Sequence, residues 1–135
     1  MLEKRLLLEI RTPQQLIYEG EVTSVRAPGE LGLFEILSGH IPFLTVLEVG
    51  EIRIRESEAA KSLATSGGVF EVLRTGVTVL ADTAEWASDI DIERAESARQ
   101  RAKELLESRD PGVNRTRAEA AFAKAENRLR VARHS

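Results

Sequence analysis

The chain contains no cysteine, which excludes disulfides, thiolate metal ligands and thiol nucleophiles together. Aromatic residues make up only 4% of its 135 residues, so the core must be mainly aliphatic and platforms for stacking nucleic-acid bases are scarce. The two histidines, His40 and His134, form no H-x-x-x-H or other metal spacing. Neither a G-x-x-x-x-G-K-[ST] phosphate loop nor a G-x-S-x-G elbow occurs. Carboxylate pairs such as Asp89 and Asp91 fall where a helix would begin, and capping accounts for them. The expectation is a chain with no catalytic residue, no bound metal and no required cofactor. No apolar run approaches the roughly 18 residues that span a membrane, and Leu6-Leu7-Leu8 is too short for the apolar core of a signal peptide. The expected location is cytosolic, or at a membrane only through partners.

What is present reads as an ordinary globular composition, 42% apolar and 30% charged, with a net charge of −3. The charge is unevenly spread. Residues 1–87 hold 8 basic against 13 acidic side chains, and residues 88–135 hold 11 against 9. A mildly basic tail on an acidic body suggests two modules with different partners. The imbalance is too small for a nucleic-acid surface.

The hydrophobic period changes near residue 88. Before it, Leu6, Leu8 and Ile10 alternate within Lys4–Arg11, and Ile52 and Ile54 alternate with charged residues from Glu51 to Glu56. Val69–Leu73 and Val77–Leu80 are rich in β-branched residues. Breakers at Pro13, Gly20, Pro28-Gly29, Gly39, Gly50, Gly67-Gly68 and Gly76 separate the runs. Short strands at this spacing predict a sandwich or barrel. After residue 88, Ala95, Ala98, Ala102, Leu105 and Leu106 fall on one helical face, with Asp91 as N-cap and Glu93 in the first turn. Asp110-Pro111-Gly112 ends that helix, and Asn114 or Thr116 starts a second whose stripe is Ala118, Phe122, Ala125, Leu129 and Ala132. Two helices with a short connection predict an antiparallel hairpin. Its stripes are mostly alanine, and a buried methyl contributes only about 0.8 kcal/mol against 1.5–3 for leucine or phenylalanine. Such a hairpin is cheap to open, as a switch requires.

Several strings resemble the epsilon subunits of F-type ATP synthases, bacterial or plastid. Glu30-Leu31-Gly32 followed by Gly39-His40-Ile41-Pro42-Phe43-Leu44-Thr45 resembles the family's G-E-x-G…P-G-H-A-P-x-L-T stretch. Ser66-Gly67-Gly68-Val69-Phe70-Glu71-Val72 and Val77-Thr78-Val79-Leu80-Ala81-Asp82-Thr83-Ala84 are similar to two of its strands. Ile90-Asp91-x-x-Arg94-Ala95 and Asn127-Arg128-Leu129-Arg130-Val131-Ala132 are similar to the opening and close of its helical region. The strings run in order over nearly the whole chain. Ser38 stands where the family has proline, Ile41 replaces alanine, and the interval from Gly32 to Gly39 is slightly longer than usual.

The resemblance implies an α+β chain: a ten-stranded antiparallel β-sandwich over residues 1–87 and a C-terminal two-helix hairpin over 88–135. It implies a rotor subunit of the central stalk that binds the gamma subunit and the ring of c subunits, with Glu30 and His40 in one stretch facing the ring. It also implies a hairpin that folds on the sandwich or extends along gamma toward the β subunits and blocks ATP hydrolysis. Some members bind ATP as a regulatory ligand through I/L-D-x-x-R-A-x-x-A-x-x-R, matched here by Ile90, Asp91, Arg94, Ala95, Ala98 and Arg101. Glu85 and Arg128 match further contributing positions, and Lys124 stands where a second arginine is usual. Arg94 and Arg101 are two helical turns apart and share a face on which guanidiniums can meet phosphate oxygens. The implied location is peripheral, through the complex alone, at the cytoplasmic face of a bacterial membrane or the stromal face of a thylakoid. The residues by themselves also fit a free-standing β-sandwich adaptor with a helical arm for another complex.

Overall fold

The computed structural model describes residues 4–39 and 41–134. Ten strands come first: β1 (Leu6–Arg11), β2 (Leu16–Val22), β3 (Ser24–Gly29), β4 (Gly32–Leu37), β5 (Phe43–Leu47), β6 (Gly50–Glu56), β7 (Ala59–Thr65), β8 (Gly68–Leu73), β9 (Gly76–Ala81) and β10 (Ala84–Trp86). A 3-10 turn over Ala87–Asp89 leads into α1 (Ile92–Glu107) and α2 (Arg115–His134). The strands follow the order β10-β7-β6-β3-β5-β8-β9-β1-β2, with β4 on the free side of β3. Among the described residues, β1 beside β9 is the parallel pairing and the others are antiparallel. Among the described residues the ladder joins the two halves of this order at Gly29 and Leu47, and β2 at the open end packs against β6, so the sheet folds into a sandwich closed almost to a barrel.

Alternation places the core. Leu8 and Ile10 of β1, Ile52 and Ile54 of β6, Phe70 and Val72 of β8, and Val77 and Val79 of β9 all point inward and are buried. A second, small cluster of Ala64, Ala87, Ile90 and Val131 lies where the hairpin meets the sandwich. Two glycines are needed for close approach. A Cβ at Gly50 would meet the Pro28 ring at 2.6 Å, and one at Gly68, whose φ is +140°, would meet the Leu80 carbonyl oxygen at 2.2 Å.

The helices form the expected antiparallel hairpin. Ala95 and Ala102 of α1 face Ala118, Ala125 and Leu129 of α2, all buried. The hairpin meets the sandwich mainly through α2, which rests on β6, β7 and the 3-10 turn. α2 therefore has a second buried face, Asn127 and Val131, which the stripe drawn from the sequence omits.

Candidate functional site

The junction of hairpin and sandwich concentrates the polar contacts between the two. Its entry is set by local chemistry. Asp91 has extended backbone and its carboxylate accepts from the Arg94 N–H at 3.1 Å, so α1 starts there. At the far end Asp110 accepts from the Gly112 N–H at 2.8 Å, and Asn114 then accepts from the Arg117 N–H at 3.0 Å, starting α2. The chain is turned back so that α2 returns to the place where β10 left the sandwich.

Three polar contacts fasten α2 there. Arg128 grips Glu85 with two donors, Nε to Oε1 at 2.8 Å and Nη2 to Oε2 at 3.2 Å. Asn127, only 2% exposed, donates from Nδ2 to the carbonyl oxygens of Gly50 at 2.8 Å and Thr65 at 3.4 Å. At the end of the helix His134 Nδ1 lies 2.8 Å from the Glu51 carboxylate. Beside this seam is a cleft of about 470 Å³, lined by Thr65, Thr83, Glu85, Lys124, Asn127 and Arg128 among others. Its size suits a small organic ligand. Lys124 and Arg128 supply cations, Glu85 already occupies the Arg128 fork, and the hydroxyls of Thr65 and Thr83 are engaged with Gly67 and Ser66.

The other residues singled out in the sequence lie elsewhere. Arg94 and Arg101 are exposed on α1, outside the lining of that cleft, and neither makes an ion pair among the described residues. Ile90 and Ala95 are buried, Ile90 in the junction cluster and Ala95 in the helix seam. The structure thus brings together Glu85, Lys124 and Arg128 but not the two α1 arginines. A larger groove of about 1040 Å³ runs between the helices past Glu93, Glu96, Arg99, Glu126, Arg130 and Arg133. The pairs Arg99–Glu126 at 3.4 Å and Arg133–Glu96 at 3.5 Å bridge it, so its charges already answer one another.

At the other end of the molecule, Glu30 is exposed in the β3–β4 turn, where its N–H donates to the Val46 carbonyl at 3.0 Å. His40 lies outside the described residues. Its neighbours Ser38 and Gly39 follow the far end of β4, and β4 pairs along β3 from Gly29↔Gly32 to Ser24↔Leu37. The six residues of β4 separate Glu30 from Ser38 and Gly39, about 17 Å of chain at ordinary strand rise. The interval after Gly32 is a strand, so Glu30 and the described residues Ser38 and Gly39 lie at opposite ends of β4. Leu31, Leu33 and Ile41 are strongly exposed near them.

One group was not found from the sequence. The Tyr18 hydroxyl donates to Glu56 at 2.7 Å, Lys61 holds the same carboxylate at 3.0 Å, and the Trp86 ring stacks edge-on against Tyr18 at 5.9 Å. Burial, then the Glu56 hydrogen bond and charge, push the Tyr18 phenol up to about 12. The hydrogen bonds from Tyr18 and Lys61 lower the Glu56 carboxyl. These residues are far apart in sequence and carry no motif; β6 and β10 bring Glu56 and Trp86 in by pairing on either side of β7, which carries Lys61, and β2 packs against β6 to bring in Tyr18. Among the described residues no three His, Cys, Asp or Glu side chains are placed to share a metal, and no helix is long and apolar enough to cross a membrane.

Comparison with known proteins adds family relations. Residues 5–87 match the family described as "ATP synthase, Delta/Epsilon chain, beta-sandwich domain", and residues 88–133 match "ATP synthase, Delta/Epsilon chain, long alpha-helix domain". Proteins named ATP synthase epsilon chain resemble it over nearly their whole length. That of Desulforamulus reducens is 42% identical over 93% of this chain and 95% of its own, and that of Syntrophobacter fumaroxidans 43% over 96% of both. The Bacillus licheniformis protein is 41% identical over 96% of this chain and 99% of its own. Among solved structures, a chain of the Euglena gracilis mitochondrial ATP synthase superposes with a TM-score of 0.81, covering 91% of this chain and 78% of that one at 21% identity. A chain of the Tetrahymena thermophila enzyme's central stalk and c-ring assembly gives 0.65 over 98% and 99% at 14% identity. Those two structures share the fold.

Proposed function

The chain belongs to the delta/epsilon chain family of ATP synthases, and from that premise we propose that it is a non-catalytic rotor subunit of the central stalk. The observation that carries this reading is the match of both family domains, in order, together with epsilon chains 41–43% identical over nearly their full length. In this role the sandwich of residues 1–87 binds the gamma subunit and rests on the c ring through the stretch that holds Glu30 and His40. It transmits ion-driven rotation to catalytic sites on the β subunits. The exposed Leu31, Leu33 and Ile41 in that stretch support a buried contact there. The protein sits peripherally on the cytoplasmic face of a bacterial membrane, held through the complex.

The hairpin of residues 88–135 regulates hydrolysis by leaving the sandwich and extending toward the β subunits. Its alanine seam and the small junction cluster support this, because both give the docked state a modest hold. ATP favours the docked state, with Lys124 and Arg128 beside Glu85 as its contacts in the junction cleft; Arg94 and Arg101 of α1, outside that lining, join them only if α1 shifts, and Asp91 and Ala95 shape the helix start. The cleft exists only when α2 is docked, so a ligand held in it shifts the balance by its differential affinity.

Reconstitution tests the reading. Added to an ATP synthase complex depleted of this chain, the full chain should restore coupled synthesis and lower ATP hydrolysis. A protein that fails to join the gamma subunit would overturn the rotor assignment. Titration calorimetry with ATP on the isolated chain tests the ligand separately, and no heat at millimolar ATP would remove the nucleotide from the account.

A further inference from the structure

We infer that Asn127 is the docking key of the hairpin: by binding the carbonyls of Gly50 and Thr65, its side-chain amide fixes where α2 sits and holds the docked state against release. The consequence for regulation rests on the proposed release of the hairpin. The docking role itself rests on geometry alone.

Asparagine is a poor helix former, and a polar side chain on a helix ordinarily faces water. Asn127 is instead 2% exposed, in the middle of α2, next to an apolar cluster. Its amide is fully used. Nδ2 reaches Gly50 O and Thr65 O, and Oδ1 accepts from Arg130 Nη2 at 3.2 Å. Gly50 and Thr65 face each other in the β6–β7 ladder, so one amide spans two strands. Among the described residues no other side chain of α2 bonds to the backbone of the sandwich.

The surrounding apolar contacts are poor at setting position. Ala64, Ala87, Ile90 and Val131 present small, smooth surfaces across which a helix can slide. A buried amide with fixed partners tolerates no such slip, because a shift leaves buried carbonyls unpaired. Gly50 takes part for a steric reason. A side chain there would strike Pro28, so only glycine lets β6 place its carbonyl under α2. When the hairpin leaves, water satisfies both carbonyls and the amide. The cost of a missing amide therefore falls on the docked state alone.

Hydrogen exchange of the full-length chain tests this. The released hairpin is a short alanine-rich pair with little hold of its own, so its amides exchange when it undocks. Asn127→Leu keeps the branched shape of the side chain, at somewhat larger volume, and removes the donor. The amides of α2 should exchange about tenfold faster or more, while those of β8 and β9, away from the dock, keep their wild-type rates and report that the sandwich is folded. Asn127→Asp keeps an acceptor for Arg130 and also loses the donor, so it should behave as Leu does. Unchanged α2 exchange in Asn127→Leu would overturn the inference. So would an Asp variant that exchanges like the wild type, or acceleration of β8 and β9 equal to that of α2, which would make Asn127 a general stability element. ATP hydrolysis by the reconstituted complex separates the two readings. If Asn127→Leu speeds α2 exchange and leaves hydrolysis unchanged, the docking key stands and the regulatory role of the hairpin falls.

Discussion

Tyr18 is the one tyrosine of the chain, and its hydroxyl ties β2 to Glu56 at the end of β6. Its phenol is held up to about 12, first by burial and then by the Glu56 carboxylate. An ultraviolet titration sees this group alone among tyrosines. The phenolate band should appear near pH 12, and in Glu56→Gln its midpoint should fall while staying above 10, because burial remains. A wild-type midpoint at 10 would contradict the contact. A phenol raised above its unfolded value contributes stability that is present below pH 10 and is lost between 10 and about 12. Glu56 runs the other way: its lowered carboxyl contributes stability above the usual carboxylate range, lost as acid protonates it. At the junction, Arg128→Ala should loosen docking by about 0.5–1 kcal/mol, since the pair with Glu85 is about a third exposed. Arg128→Lys should recover only part, because lysine has no two-pronged donor. Exchange of the α2 amides reads both. Of the candidate site, the cap at Asp91 was legible because capping is local chemistry. Glu85, Lys124 and Arg128 were legible only through the family string, and their meeting depends on how the hairpin turns back. Asn127 was hidden because a polar residue off an apolar stripe reads as a solvent-facing one.

The elements divide in the same way. β1, β6, β8 and β9 could be read from alternation, since one side chain in two must enter the core. β7 could not. Ala59-Ala60-Lys61-Ser62 favours no strand, and it is extended because β6 pairs along the whole of β7, with β10 joining on the other side at Leu63–Thr65. α2 misled in another respect, since it buries two faces while a single stripe marks only the one toward α1. That seam makes a prediction. Ala118 is 3% exposed against α1, and Ala118→Leu must push the helices apart at a cost of about 1–3 kcal/mol. Circular dichroism during urea unfolding should show lost helix at lower denaturant, with the strand signal unmoved. If the helix signal and its midpoint stay as in the wild type, the seam is looser than its burial indicates.

For the molecule as a whole, the question is whether the sandwich needs the hairpin. Its core of long aliphatic side chains and Phe70 lies wholly within residues 8–81, and no hairpin residue enters it. The hairpin covers only Ala64 and Ala87 among the buried apolar side chains of the sandwich, beside its own Ile90 and Val131. It also satisfies the carbonyls of Gly50 and Thr65, which water can bond equally well. Removing residues 88–135 therefore exposes little apolar surface on the sandwich and leaves no buried polar group unpaired there. A chain ending at Ala87 should melt in one cooperative step near the full-length midpoint and still join the gamma subunit. The same truncation should raise ATP hydrolysis by the assembled complex, because the element proposed to block rotation is gone. The two measurements answer different questions. A disordered 1–87 chain by NMR would show that the hairpin is part of the folding unit. A folded 1–87 chain that binds gamma yet leaves hydrolysis at the full-length rate would leave the rotor role intact and take the brake away from the helices.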